Sequence, residues 1–84
     1  MKHATAATLD QLEPLLAEIR ALDGLKERSR GVFYRKGQAF LHFHEDPKGL
    51  FADIRAGGLD FERIDVTGAE GRLRLVGVAK VRLG

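Results

Sequence analysis

The stretch "GVFYRKGQAFLHFHEDPKGLFADIR", residues 31–55, decides the fold. Apolar and polar residues alternate over short runs in it, the period of a half-buried strand. Lys36-Gly37 is a two-residue pair of the kind that closes a hairpin at positive φ. "DPKG", residues 46–49, is a second turn, with Pro47 at its first central position and Asp46 placed to bond the turn backbone. "GVFYR", "QAFLHFHE" and "LFADIRA" therefore read as strands. "GGLD" breaks the chain after them, and "FERIDV", residues 61–66, reads as a fourth. Together they form an antiparallel meander.

Turn lengths set the register, and register sets which side chains share a face. A tight DPKG hairpin pairs Glu45 with Leu50, His44 with Phe51, His42 with Asp53 and Leu41 with Ile54. The Lys36-Gly37 turn pairs Arg35 with Gln38, Phe33 with Phe40 and Val32 with Leu41. One face then carries Val32, Tyr34, Leu41, Phe43, Ala52, Ile54, Ile64 and Val66, a core. The other carries Phe33, Arg35, Phe40, His42, His44, Phe51, Asp53, Arg55, Phe61, Arg63 and Asp65. A solvated sheet face has no need of four phenylalanines, and such a patch marks binding or association.

Upstream, Leu9, Leu12, Leu15, Leu16, Ile19 and Leu22 recur at helical spacing. Thr8 and Gln11 resemble a capping box, but that start puts Pro14 in the helix interior, where it removes a hydrogen bond. Asp10 as the cap leaves Pro14 in the first turn, so the spacing predicts one helix over about 10–23, closed by Gly24. "LKERSR", residues 25–30, reads as a polar connection and residues 1–8 as a flexible N-terminus. Downstream, Thr67 and Glu70 form a T-x-x-E capping box, while "RLRL" and "KVRL" alternate as strands do. One helix covers only about half the width of a four-stranded sheet, so residues 69–83 are assigned to a second helix. The expected fold class is α+β: a two-layer sandwich, α-β-β-β-β-α, with both helices on one face and residues 1–84 a single domain.

Composition narrows the classes of function. The 84 residues hold no cysteine, which removes disulfides and thiolate zinc sites. A core this thin invites support from a dimer. No apolar run approaches a membrane span of ~20 residues, and the first residues hold no apolar leader, so a cytoplasmic location is expected. Fourteen basic against twelve acidic side chains leave a net charge of +2, too little to argue for nucleic acid. Arg72, Arg74, Lys80 and Arg82 nevertheless fall in a segment, 72–84, without an acid; they read as a solvated face, with a phosphate-binding surface as the alternative. No phosphate loop, dinucleotide fingerprint or nucleophile elbow is present, so nothing specifies an enzyme.

His42 and His44 form H-x-H on one side of a strand, and Asp53 lies across from His42. Two histidines and a carboxylate are a ligand set for zinc or non-haem iron. The H-x-H element resembles the strand motif of cupins over three residues, in a chain too short for the cupin barrel. The words "LHFHED" and "FADIR" resemble those of small uncharacterised bacterial proteins, and that resemblance implies no activity. The plainer alternative makes the histidines half-buried members of an aromatic interface, with Asp53 orienting His42. Arg35, Arg55 and Arg63 beside phenylalanines suit either ion pairs with Asp53 and Asp65 or a platform for single-stranded bases. His3 carries no signal of its own.

Three readings stand at this point. The first is a non-enzymatic module that homodimerises through Phe33, Phe40, His42, His44, Phe51, Asp53, Arg55, Phe61 and Arg63. The second is a metal or small-molecule site on His42, His44 and Asp53. The third is a surface for single-stranded nucleic acid.

Overall fold

A computed structural model describes residues 2–84. Its elements are β1 (Lys2–His3), α1 (Ala6–Gln11), α2 (Glu13–Arg20), β2 (Lys26–Ser29), β3 (Val32–Arg35), β4 (Gln38–Asp46), β5 (Gly49–Gly57), β6 (Asp60–Asp65) and α3 (Ala69–Leu83). The protein is α+β with one antiparallel sheet. Strand order is β2-β3-β4-β5-β6, and β1 pairs with β4 beside this path.

The central hairpin has the register its turn dictates. Glu45 faces Leu50, His44 faces Phe51, His42 faces Asp53 and Leu41 faces Ile54. Asp46 Oδ1 accepts from the Lys48 backbone N–H at 3.0 Å, which fixes the turn. The next hairpin, β5–β6, places Ala52 opposite Ile64, Asp53 opposite Arg63, and Arg55 opposite Phe61.

The first hairpin departs from expectation. Lys36 and Gly37 do turn at φ 51° and 82°, and Arg35 does face Gln38. The register then shifts, so that Tyr34 faces Ala39 and Phe33 faces Leu41. Phe40 is the extra residue of a β-bulge. The expected pairs Phe33 with Phe40 and Val32 with Leu41 do not form. Phe33 and Phe40 are instead only 1% and 3% exposed and belong to the apolar core, while Val32 and Tyr34 lie outside it. Burying a phenylalanine contributes about 1.5–3 kcal/mol, so taking in both rings outweighs one disturbed ladder position. Tyr34 is left beneath the Arg28 guanidinium, 4.4 Å from ring centre to Cζ.

Two further strands enlarge the expected four. β2 is the segment read as a polar connection; Lys26 faces Tyr34 and Glu27 faces Phe33. It is an edge strand, and edges are kept charged to discourage further pairing, which hides them from a search for alternation. β1 arises because β3 is short and β4 is long. The far end of β4 lacks β3 as a neighbour, and Lys2 and His3 pair there with Glu45 and His44. Of the segment 1–8, expected to be flexible, Met1 lies outside the described residues, and residues 2–8 hold β1 and the start of α1.

The expected single helix over 10–23 is two. Thr5 caps α1, its hydroxyl accepting from Thr8 N–H at 3.5 Å, and Leu12 is the joint. Pro14 has no N–H to give the preceding turn, so the chain restarts at Glu13 with Pro14 in the first turn of α2. The tail is helical as assigned, but its capping box is absent. Gly68 is the N-cap without a side-chain bond, because Thr67 Oγ1 accepts from Leu50 N–H at 2.9 Å and so ties the helix entry to β5. Gly71 lets α3 approach β6: a Cβ there would lie 1.7 Å from the Asp65 carbonyl oxygen.

The core joins Leu12, Leu15, Leu16 and Ile19 with Leu75, Val76 and Ala79, and both groups with Phe33, Phe40, Leu41, Phe43, Ala52, Ile54, Ile64 and Val66. On β4 and β5 the alternate residues His42, His44, Phe51 and Arg55 are only partly covered, and these strands position the site.

Candidate functional site

Asp53 stands in the middle of β5, between His42 on β4 and Arg63 on β6. The sheet itself brings these three side chains together, since residues opposite each other across a ladder point the same way. Arg63 donates from Nε to Asp53 Oδ1 and from Nη2 to Asp53 Oδ2, each at 2.8 Å. His44 Nε2 lies 3.1 Å from the same Oδ2. The Asp53 side chain is only 12% exposed, and this bidentate partner makes its burial tolerable.

The two imidazoles meet edge to face, with centroids 4.8 Å apart. His42 also lies 5.3 Å from the Phe61 ring, over which the Arg55 guanidinium sits at 4.8 Å. His42 Nδ1 is buried and, among the described residues, has no hydrogen-bond partner. One ligand atom from each of His42, His44 and Asp53 falls within 4.8 Å of the others.

Burial pushes the His42 imidazolium below its ordinary range, and the neighbouring His44 acts in the same direction. The Arg63 hydrogen bonds hold the Asp53 carboxyl below its usual value against the opposing effect of burial. At neutral pH the site therefore presents a neutral imidazole at His42 beside a carboxylate, the protonation states in which both groups ligate metals.

Of the face inferred from the sequence, His42, His44, Asp53, Arg55, Phe61 and Arg63 do come together, with Phe51 half-buried opposite His44. Phe33 and Phe40 do not, for the bulge takes both into the core. Arg35 leaves the set as well; its guanidinium donates to the carbonyls of Arg82 and Leu83 at the end of α3, at 2.9 and 3.2 Å. An aromatic platform for stacked bases thus keeps only Phe51 and Phe61.

His3 joins the cluster unforeseen. Pairing of β1 with β4 sets it opposite His44, with ring centroids 5.2 Å apart, and 6.4 Å from His42. No local pattern announces it, since a two-residue strand carries no period. The unpaired far half of β4 is the one signal that could have found it.

Compared with models of protein families, with curated proteins and with solved structures, the chain matches none.

Proposed function

We propose that the protein is a small metal-binding module, with His42, His44 and Asp53 as ligands to a zinc or ferrous ion. The observation that carries this reading is the buried, unpartnered Nδ1 of His42 inside a cluster of two imidazoles and a carboxylate. Buried polar atoms rarely lack a partner, and a divalent ion supplies one to all three groups. Ligand bonds of about 2.0–2.2 Å require the three groups to draw together by small side-chain rotations. Arg63 remains on Asp53 as the outer partner that fixes the carboxylate.

In this reading the fold is a two-layer sandwich. The α2 and α3 helices cover one sheet face, and the opposite face holds the ligand set. The test is uptake of Zn(II) and Fe(II) by the full chain after purification without chelator. The expected result is about one equivalent per chain, lost in His42→Ala. Uptake below about a tenth of an equivalent on titration, or uptake unchanged in His42→Ala and Asp53→Asn, would sink the proposal.

A second reading, a homodimer joined through the same face, is supported by Phe61 and Leu59, which are 37% and 89% exposed where β5 turns into β6. It requires the sedimentation mass to double at micromolar concentration and to halve in Phe61→Ser. A monomer at high micromolar concentration ends it.

A further inference from the structure

A separate concavity of about 290 Å³ is lined by Arg35, Lys36, Gln38, Phe40, Arg55, Ala56, Gly57 and Arg82. It shares no residue with the His42–His44–Asp53 cluster. Four of its eight lining residues are cationic and none is acidic. Among the described residues only Arg82 of the four has an ion pair, with Glu62, which is not in the lining.

The arginines are held rather than loose. Arg35 is fixed by the two carbonyls at the end of α3. Arg55 donates from Nε to the Ala39 carbonyl at 2.7 Å and from Nη1 to the Gly58 carbonyl. Arg82 donates from Nη1 to the Arg55 carbonyl at 3.2 Å. Carbonyls orient the Arg35 and Arg55 guanidiniums without supplying a counter-charge, and no acidic side chain lines the recess. The Nε of Arg35 and the Nη2 of Arg55 take no part in these bonds. Lys36, in the hairpin turn at φ 51°, is also among the residues that line the recess. A wall of like charges around a recess is unfavourable unless an anion shares it. Fixed guanidinium forks with unused N–H groups match phosphate oxygens, and Phe40 gives the recess an apolar floor.

We infer that this recess binds the phosphate group of a small molecule. A recess of this size takes a phosphate and a small organic remainder, with Arg35 and Arg55 as the forks and Lys36 as the outer cation. The basic residues of 72–84 divide accordingly. Arg82 reaches the recess, while Arg72 is spent on the carbonyls of Val66 and Thr67, and Arg74 on Glu62.

The experiment is a titration of the isotope-labelled full chain with sodium pyrophosphate at fixed, low ionic strength, read by amide chemical shifts. Saturable shifts are expected at Lys36, Gly37, Gln38, Ala56 and Gly57. Lys36→Asn, a substitution suited to the left-handed turn, is expected to weaken binding roughly tenfold, the loss of one charge-assisted bond. Lys48→Asn, which removes the same charge from the other hairpin turn, is expected to leave it unchanged. Shifts that rise linearly without saturation, or equal effects of the two variants, would overturn the inference. So would binding of a single-stranded oligonucleotide without binding of pyrophosphate, because the recess would then be part of a polymer surface.

Discussion

Arg63 grips both carboxylate oxygens of Asp53, at 2.8 Å each, from the neighbouring strand. His44 stands on the other side of the same carboxylate. The pair belongs to the sheet as much as to the site, since it ties β6 to β5 across the middle of the ladder. Asp53→Asn is therefore expected to cost about 2 kcal/mol of stability as well as a metal ligand. Arg63→Ala is expected to cost about 1–2 kcal/mol while leaving all three ligands in place. Urea unfolding measures the first effect of each variant and metal titration the second.

Metal binding has a thermodynamic signature of its own. An ion bound by the folded chain alone at a hundredfold excess over Kd adds about 2.7 kcal/mol of stability. Zinc is expected to raise the unfolding temperature of the wild type, and chelator to reverse the rise. His42→Ala is expected to abolish the response. His3→Ala is expected to retain it, because the proposed ligand set is complete without that ring.

The bulge at Phe40 is testable by truncation. Phe33→Ala is expected to cost about 3–5 kcal/mol, the loss of a buried ring and the cavity left behind. Val32→Ala, on the alternate position, is expected to cost less than about 1 kcal/mol. A reversed order would restore the regular register, with Val32 inside and Phe33 out.

Two glycines of α3 make an internal control. Gly71→Ala drives a methyl into the Asp65 carbonyl, since the ideal Cβ lies 1.7 Å from that oxygen. About 3 kcal/mol of destabilisation is expected, from moving the helix off the strand end. Gly77 has nothing within 4 Å of its ideal Cβ. Gly77→Ala is expected to stabilise by about 0.5–1 kcal/mol through helix propensity alone. Thermal melts of both variants check the contrast.

Glu62 links the sheet to α3 through Arg82 and Arg74. The Arg82 hydrogen bond, chiefly, holds its carboxyl below the ordinary value of 4.5 in the folded chain. A carboxyl whose folded value is depressed stabilises fully above its unfolded value and loses that contribution as pH falls through the folded one. Wild type is therefore expected to exceed Glu62→Gln in stability above pH 4.5, with the gap closing as the pH is lowered further. Denaturant titrations of both proteins at a series of pH values read this directly.

Much of the hairpin is legible in the sequence because its determinants are local. Asp46, Pro47 and Gly49 set one turn, which carries its register along the whole β4–β5 ladder, whereas the Lys36-Gly37 turn fixes only Arg35 opposite Gln38 before the core imposes the bulge. The DPKG turn alone puts His42 opposite Asp53 and His44 opposite Phe51, so the candidate ligand set follows from the order of residues 42–53. Register predicts that Asp53 orients His42, yet it is His44 and Arg63 that touch the carboxylate, since the reach of side chains along a strand is not set by register.

By itself the sequence determined the α+β class, the β4–β5 hairpin and the grouping of His42, His44 and Asp53, because turn chemistry and periodicity act over a few residues. The helical tail followed from the need to cover the sheet, its local signals being divided between helix and strand. Only the tertiary structure decided the rest. The bulge answers to the volume of the core, which prefers two phenylalanines to Val32 and Tyr34. β2 is a strand only because β3 offers an edge, and β1 only because β4 outruns β3. The recess of Arg35, Lys36, Arg55 and Arg82 exists only where a hairpin turn, a strand end and a helix end meet. No local pattern encodes such meetings, since they depend on which surfaces remain after the core has closed.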